Sequence, residues 1–207
     1  MPREIDQKII EEILAIGVQM DQKGMVNAYE GNLSIKEKGL IYITPSGKRK
    51  VELTPNMIAV LNEEGEQIAG DCKPSSELPM HTAAYRMRPD VGAVIHCHSP
   101  YLTAHAICNQ PIECRAYAEF LMLAGDIPVV PYGKPGTDEI FAKMGPFLKG
   151  HNIVLLANHG PLCVGPDLKT AFNRIDSAER IARILTITKQ IGPLADLPAY
   201  EIARLFE

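Results

Sequence analysis

The sequence lacks the segments that mark a membrane or secreted protein. No apolar stretch in its 207 residues reaches membrane-spanning length, which takes about 20 residues. Residues 1–6 carry charged side chains and lead into an amphipathic pattern, which is not the pattern of a signal peptide. We therefore expect a cytoplasmic protein that has no membrane partner.

An excess of basic residues is also missing. Lys and Arg total 21 against 25 Asp and Glu, giving a formal charge of −4, and no basic stripe occurs. Nucleic acids and anionic surfaces attract such stripes, so we expect no nucleic-acid partner. The patterns G-x-x-x-x-G-K-[ST] and G-x-G-x-x-G are absent as well, and a nucleotide is therefore not indicated.

The cysteines show no pattern of a disulfide framework or of a closed zinc site. Their number is odd, and no two of them have C-x-x-C spacing. The five are Cys72, Cys97, Cys108, Cys114 and Cys163. Free thiols in a reducing compartment are the interpretation that fits. Cys97 lies between two histidines, but strand alternation turns it to the opposite face.

What the chain does contain is a succession of helix and strand patterns. Hydrophobic periodicity predicts an α/β fold in which residues 1–207 form one three-layer α/β/α domain around a mostly antiparallel central sheet. Hairpins are predicted at residues 30–44 and 57–69, and buried strands at residues 91–96 and 153–157. The predicted helices are residues 6–20, 74–88, 99–107, 116–123, one that starts at Gly136, 167–190 and 199–206.

Two histidines close the strand of residues 91–96. His96 and His98 are two positions apart, so an extended backbone directs both rings to the same side. Such a pair is half of a site for a divalent metal, zinc first. The alternative is one core histidine and one surface histidine.

A third histidine favours a metal site over that alternative. The apolar strand of residues 153–157 runs into His159, and this ring would join the other two if the two strands were neighbours in one sheet. Three histidines with an open position are a common arrangement in catalytic zinc sites.

Three turns rich in small polar residues form a candidate anion site. They are residues 31–34, residues 44–47 and Ser75 with Ser76, the last at a helix N-terminus. Each of these could also be an ordinary turn. Glu77 follows directly, either as a helix-capping carboxylate or as a general base. His81, His105 and His151 are interpreted as surface or packing histidines.

Five motifs in this order resemble the class II aldolase/adducin family. They are Gly-Asn-Leu-Ser at 31–34, Ile-Thr-Pro-Ser-Gly at 43–47, Ser-Ser-Glu at 75–77, His-Cys-His at 96–98 and Asn-His-Gly at 158–160. The resemblance implies one Zn²⁺ per chain on His96, His98 and His159, with Mn²⁺ or Co²⁺ as alternatives. It also implies that the substrate phosphate is held by Asn32, Ser46, Gly47, Ser75 and Ser76.

The resemblance further implies an aldolase. Such an enzyme cleaves a ketose 1-phosphate similar to L-fuculose 1-phosphate into dihydroxyacetone phosphate and a short aldehyde, reversibly. Glu77 would move the carbon-bound proton, and Tyr117 the proton on the aldehyde oxygen. The family also implies a homotetramer with active sites at subunit interfaces.

Alternatives within the family stay open. Glu119 lies near the position of the acid/base carboxylate in related dehydratases and epimerases, although the epimerases carry Asp at the position of Glu77. Tyr200 is a candidate for a C-terminal tyrosine of the site. A non-enzymatic, adducin-like scaffold would be expected to lose the three histidines, which this chain keeps.

Overall fold

The computed structural model describes residues 5–27, 29–134 and 137–207. Helices and strands alternate along the chain, as the hydrophobic pattern predicts. In chain order they are helix α1 (Gln7–Gln22), strands β1 (Asn32–Glu37) and β2 (Leu40–Ile43), 3-10 turns at Lys50–Glu52 and Pro55–Met57, strands β3 (Ala59–Leu61) and β4 (Gln67–Ala69), helix α2 (Leu78–Met87), strand β5 (Ala93–His96), helices α3 (Pro100–Ile107) and α4 (Ala118–Leu123), strand β6 (Val129–Val130), helices α5 (Glu139–Ala142) and α6 (Gly145–Leu148), strands β7 (Ile153–Leu156) and β8 (Gly160–Gly165), and helices α7 (Leu168–Ile191) and α8 (Ala199–Arg204).

All eight of these strands lie in one sheet, in the order β4-β3-β2-β1-β5-β8-β7-β6. Neighbouring strands run antiparallel except at one edge, where β6 runs parallel to β7. The predicted α/β class is confirmed, with one correction: the sheet is mixed.

Helices cover both faces of the sheet. The alternation in β5 shows why, because Ile95 belongs to the apolar core beneath α1, α3, α4 and α7, whereas Val94 belongs to the core beneath α2, α5 and α6. Cys97 is buried in the first core, so it faces away from the histidines as predicted. The five cysteines are all free.

Most predicted elements are confirmed, with a few shifts. Helix α2 starts at Leu78 rather than at residue 74. Strand β8 was not predicted. Residues 1–4 and Gly136, the predicted start of a helix, lie outside the described residues. Among the described helices, none is both long enough and apolar enough to cross a membrane.

Candidate active site

Three histidine side chains meet at one end of the sheet. His96 is the last residue of β5, His98 follows it, and His159 lies in the turn between β7 and β8. Their ring centroids are 4.6 to 5.0 Å apart, and one ligand atom of each lies within 4.8 Å of the others. One divalent ion can be bound by all three.

His159 reaches this cluster without the two histidine-bearing strands being neighbours. Strands β5 and β7 are not neighbours, because β8 lies between them. Strand β8 starts directly after His159 and pairs with β5, with Leu162 opposite His96. The turn is held by Asn158, which adopts a left-handed φ of 58° and donates its backbone N–H to the carbonyl of Ala106 at 2.9 Å. Asparagine tolerates this conformation better than most residues do.

The protonation of His96 and His159 is compatible with metal binding. The Nδ1–H of His96 donates to the carbonyl of Pro161 at 2.9 Å, which leaves the lone pair of Nε2 on the side of the other two rings. Complete burial lowers the pKa of His96 to about 3, so this ring is neutral, as a ligand must be. Burial also lowers the pKa of His159. The buried Nδ1 of His159 has no partner among the described residues. Three imidazole side chains are a donor set that suits zinc.

Two carboxylates flank the histidines. The Oε1 of Glu77 is 3.4 Å from Nε2 of His159, and its Oε2 is 3.5 Å from Nε2 of His96. Burial raises the pKa of Glu77, but the adjacent His96 and the amide of Asn32 lower it by more. The net pKa is below the ordinary value, so the carboxylate form prevails. The second carboxylate is Glu30, which no sequence pattern indicated; its Oε1 is 3.3 Å from Nδ1 of His98.

The candidate phosphate turns lie side by side. Residues 45 and 74 form a β-bridge, Ser46 donates its N–H to the carbonyl of Lys73 at 3.3 Å, and Ser75 donates its N–H to the carbonyl of Thr44 at 3.1 Å. Ser75 is buried, whereas Ser46, Gly47 and Ser76 are exposed. The φ of Gly47 is +65°, a conformation that favours glycine.

Asn32 links these turns to the histidines. It is the first residue of β1, is buried, and donates from Nδ2 to Oε2 of Glu77 at 2.7 Å. Glu77 comes directly after Ser76. The structure therefore brings Asn32, Glu77 and the three histidines together and places the two serine turns next to them.

Two further residues were not found from the sequence. Lys50 is 2% exposed, and its Nζ donates to the carbonyls of Glu30 at 3.0 Å and Lys48 at 3.3 Å. Burial lowers its pKa to about 8. His81, interpreted as an ordinary histidine, is fully buried and hydrogen-bonded to Asn32. Its spacing of one helical turn from Glu77 was the signal that could have identified it.

The remaining candidates lie apart from the histidines in this chain. Tyr117 precedes α4 and packs against the core, Glu119 is exposed in the first turn of α4, and Tyr200 is 65% exposed on α8. Within the described residues, no hydrogen bond or ion pair joins any of them to the cluster.

Comparison with known proteins gives one family. The family model of the Class II Aldolase and Adducin N-terminal domain matches residues 11–186. A 5-deoxy-D-ribulose 1-phosphate aldolase of Bacillus thuringiensis serovar kurstaki is 38% identical over 96% of this chain and 94% of its own. A 3-oxo-tetronate 4-phosphate decarboxylase of Escherichia coli strain K12 is 33% identical over 98% of this chain and 97% of its own. The solved structure of an L-fuculose 1-phosphate aldolase has a TM-score of 0.89 at 30% identity, covering 97% of this chain and 95% of that one.

Proposed function

Because the chain belongs to the class II aldolase/adducin family, as its motifs indicate, we propose that it is a zinc-dependent aldolase for a ketose 1-phosphate. The products are dihydroxyacetone phosphate and a short aldehyde, and the reaction is reversible. One observation carries the proposal: the Glu77 carboxylate lies within 3.5 Å of two of the three clustered histidines. A base beside a metal is what proton removal next to a carbonyl requires.

In this proposal His96, His98 and His159 hold the ion, with Mn²⁺ or Co²⁺ as alternatives to Zn²⁺. When bound, the ion supplies Lewis acidity toward the substrate's carbonyl and hydroxyl oxygens. The amide of Asn32, the turn at Ser46 and Gly47 and the pair Ser75 and Ser76 bind the phosphate. Hydroxyl and amide groups of these residues are donors suited to an anion, and the N–H bonds of Ser46 and Ser75 to Lys73 and Thr44 already hold the paired turns together.

Glu77 moves the carbon-bound proton. In the synthetic direction it takes a proton from the carbon next to the carbonyl of dihydroxyacetone phosphate, and the electron pair left behind attacks the aldehyde carbon. The phenol of Tyr117 then donates its proton to the new alkoxide oxygen. In cleavage the phenolate takes that proton back, the carbon–carbon bond breaks, and Glu77 returns its proton to carbon.

Tyr117 packs against the core of its own chain and shares no described hydrogen bond with the histidines, which supports an assembled site. We propose a homotetramer in which the Tyr117 of one subunit reaches the histidine cluster of its neighbour. Light scattering at working concentration is the direct measurement, and an active monomer would contradict the assembly.

The test of function separates the two proton transfers. Glu77→Gln should abolish the exchange of solvent deuterium into dihydroxyacetone phosphate, with no aldehyde present. Tyr117→Phe should leave that exchange largely intact and slow carbon–carbon bond formation, since loss of an acid–base group costs about 10²–10⁴-fold. Wild-type protein that contains metal but catalyses no exchange would refute the aldolase.

A decarboxylase is the second candidate, because a 3-oxo-tetronate 4-phosphate decarboxylase is 33% identical over nearly the whole chain. Loss of CO₂ from a 3-oxo acid also leaves an electron pair next to a carbonyl, which Glu77 would protonate. Release of CO₂ from that substrate, without an aldehyde product, would favour this reaction.

The dehydratase alternative instead requires that Glu119→Gln abolish activity while Glu77→Gln spares it. The epimerase and scaffold alternatives have less support, because Glu77 and all three histidines are present.

A further inference from the structure

A row of buried polar side chains leads away from Glu77 between α2 and β1. Glu77 accepts from Nδ2 of Asn32 at 2.7 Å, and Oδ1 of Asn32 is 2.5 Å from Nε2 of His81. The Nδ1 of His81 is 2.6 Å from Oγ of Ser34, which is 2.7 Å from the hydroxyl of Tyr85. All four residues beyond Glu77 are buried.

Two regular elements build this row. Glu77 immediately precedes α2, and His81 and Tyr85 follow at intervals of four residues within it. The three side chains therefore lie on one face of this helix. Asn32 and Ser34 are two residues apart on β1 and point to the same face of the sheet. The helix face and the strand face interlock, and none of these contacts depends on a flexible loop.

The chemistry of the groups fixes the direction of every hydrogen bond. The carboxylate of Glu77 accepts, so the amide nitrogen of Asn32 faces it and the amide oxygen faces His81. That oxygen can only accept, so Nε2 of His81 carries the proton. The Nδ1 atom is then an acceptor, which makes Ser34 its donor and Tyr85 the donor to Ser34. Burial supports the neutral ring by lowering the pKa of His81 to about 4.

We propose that His81, held by Ser34 and Tyr85, is a positioning residue that keeps the Asn32 amide turned with its N–H groups toward Glu77 and the substrate. The proposal rests on the aldolase function, in which Asn32 binds phosphate and Glu77 moves the proton. Without the N–H of His81, the buried amide oxygen of Asn32 loses its donor, and only the bond to Glu77 still holds the amide. An unsatisfied buried acceptor is costly, so Asn32 shifts to find another donor and moves Glu77, its partner, with it.

The kinetic test compares two substitutions of His81 with a control. His81→Leu removes the donor, whereas His81→Gln keeps an N–H that reaches Asn32. We expect His81→Leu to slow deuterium exchange into dihydroxyacetone phosphate by about 10–100-fold, as for other outer-shell partners, and His81→Gln to stay within about threefold of wild type. His105→Gln is the control, because His105 contacts only the carbonyl of Gln110 among the hydrogen bonds that the structure describes for its ring.

Metal content separates positioning from general damage. His81 contacts none of the three clustered histidines within the described residues, so both variants should bind as much zinc as wild type. Equal loss of exchange in His81→Leu and His81→Gln, or loss of zinc together with exchange, would overturn the proposal. So would exchange by His81→Leu within threefold of wild type.

A spectroscopic measurement tests the row even if the protein turns out not to be an aldolase. Histidine labelled with ¹⁵N should show His81 of the wild-type protein as a neutral ring with its proton on Nε2 from pH 6 to 9. Ser34→Ala, which removes little volume, should shift the Nδ1 resonance by removing its donor, while the proton stays on Nε2 because Asn32 still accepts it there. A proton on Nδ1 or a charged ring in the wild type would overturn the proposal. Failure of wild-type exchange with the expected tautomer intact would instead refute the aldolase alone.

Discussion

The buried Lys50 gives a prediction about stability that can be worked out from its surroundings. Its ammonium group is almost fully enclosed and donates to two carbonyls, those of Glu30 and Lys48. Burial lowers the pKa of Lys50, and attraction by Asp21 and Glu77 offsets only part of that effect. The folded protein therefore holds this proton less tightly than the unfolded chain does.

The sign and size follow from the two pKa values. The pKa of Lys50 is about 8 in the folded protein against 10.5 for an ordinary lysine. Between these values the unfolded state binds more protons, so the contribution of Lys50 to the free energy of unfolding rises with pH. The rise starts near pH 8, is complete above pH 10.5, and totals roughly 3 kcal/mol at 1.36 kcal/mol per pH unit.

The assay compares wild type with Lys50→Met by urea unfolding at pH 7.5, 8.5, 9.5 and 10.2. The comparison is needed because the buried Cys97, whose pKa burial raises to about 12, changes stability in the opposite direction above pH 9. That effect is common to both proteins and cancels in the difference. Above pH 8, the free energy of unfolding of wild type should rise relative to that of Lys50→Met by about 1 kcal/mol per pH unit. The exposed Lys48→Met is the matched control and should parallel wild type, whereas parallel curves for Lys50→Met would refute the reasoning.

The other predictions concern the histidine cluster. A Cβ on Gly160 would lie 2.7 Å from the carbonyl oxygen of Cys97 and 3.1 Å from the ring of His98, so Gly160→Ala should lower zinc affinity at least tenfold in a chelator competition. Gly150→Ala is its control, since a Cβ there meets nothing within 4 Å, and equal zinc affinity of the two variants would refute the steric argument. His159→Ala should reduce zinc from about one per chain to a small fraction by elemental analysis, together with activity. Full activity after exhaustive metal removal would contradict the metal-dependent mechanism.

How far the sequence alone predicts this site depends on the kind of contact. His96 and His98 could be assigned from the strand period, because alternation is a local rule. The position of His159 required a strand that was missed, since Gly160 and Pro161 at the start of β8 are typical of turns. The histidine itself was still identified, because a strand pattern ended on it.

Burial of single polar residues was the harder part. Lys50 stands in a run of basic residues, and lysine is almost never fully buried, so composition argued for a solvated side chain. His81 and Ser34 are joined by contacts between residues 47 positions apart, and no local pattern specifies such a pair. The spacing of Glu77, His81 and Tyr85 showed only that they share a face, not that the face is covered by β1.

The contrast in burial between the polar row that starts at Asn32 and two other candidate residues, Glu119 and Tyr200, bears on how this fold can change over evolution. The four residues of the row are buried (Asn32, Ser34, His81 and Tyr85), so substitutions there disturb packing and hydrogen bonds together. Glu119 and Tyr200 are exposed, and exposed substitutions usually change stability by less than about 0.5 kcal/mol. In the proposed aldolase, mutations at these two exposed positions are therefore not removed by selection on folding and can be sampled freely. The buried row is inherited together with the core that encloses it.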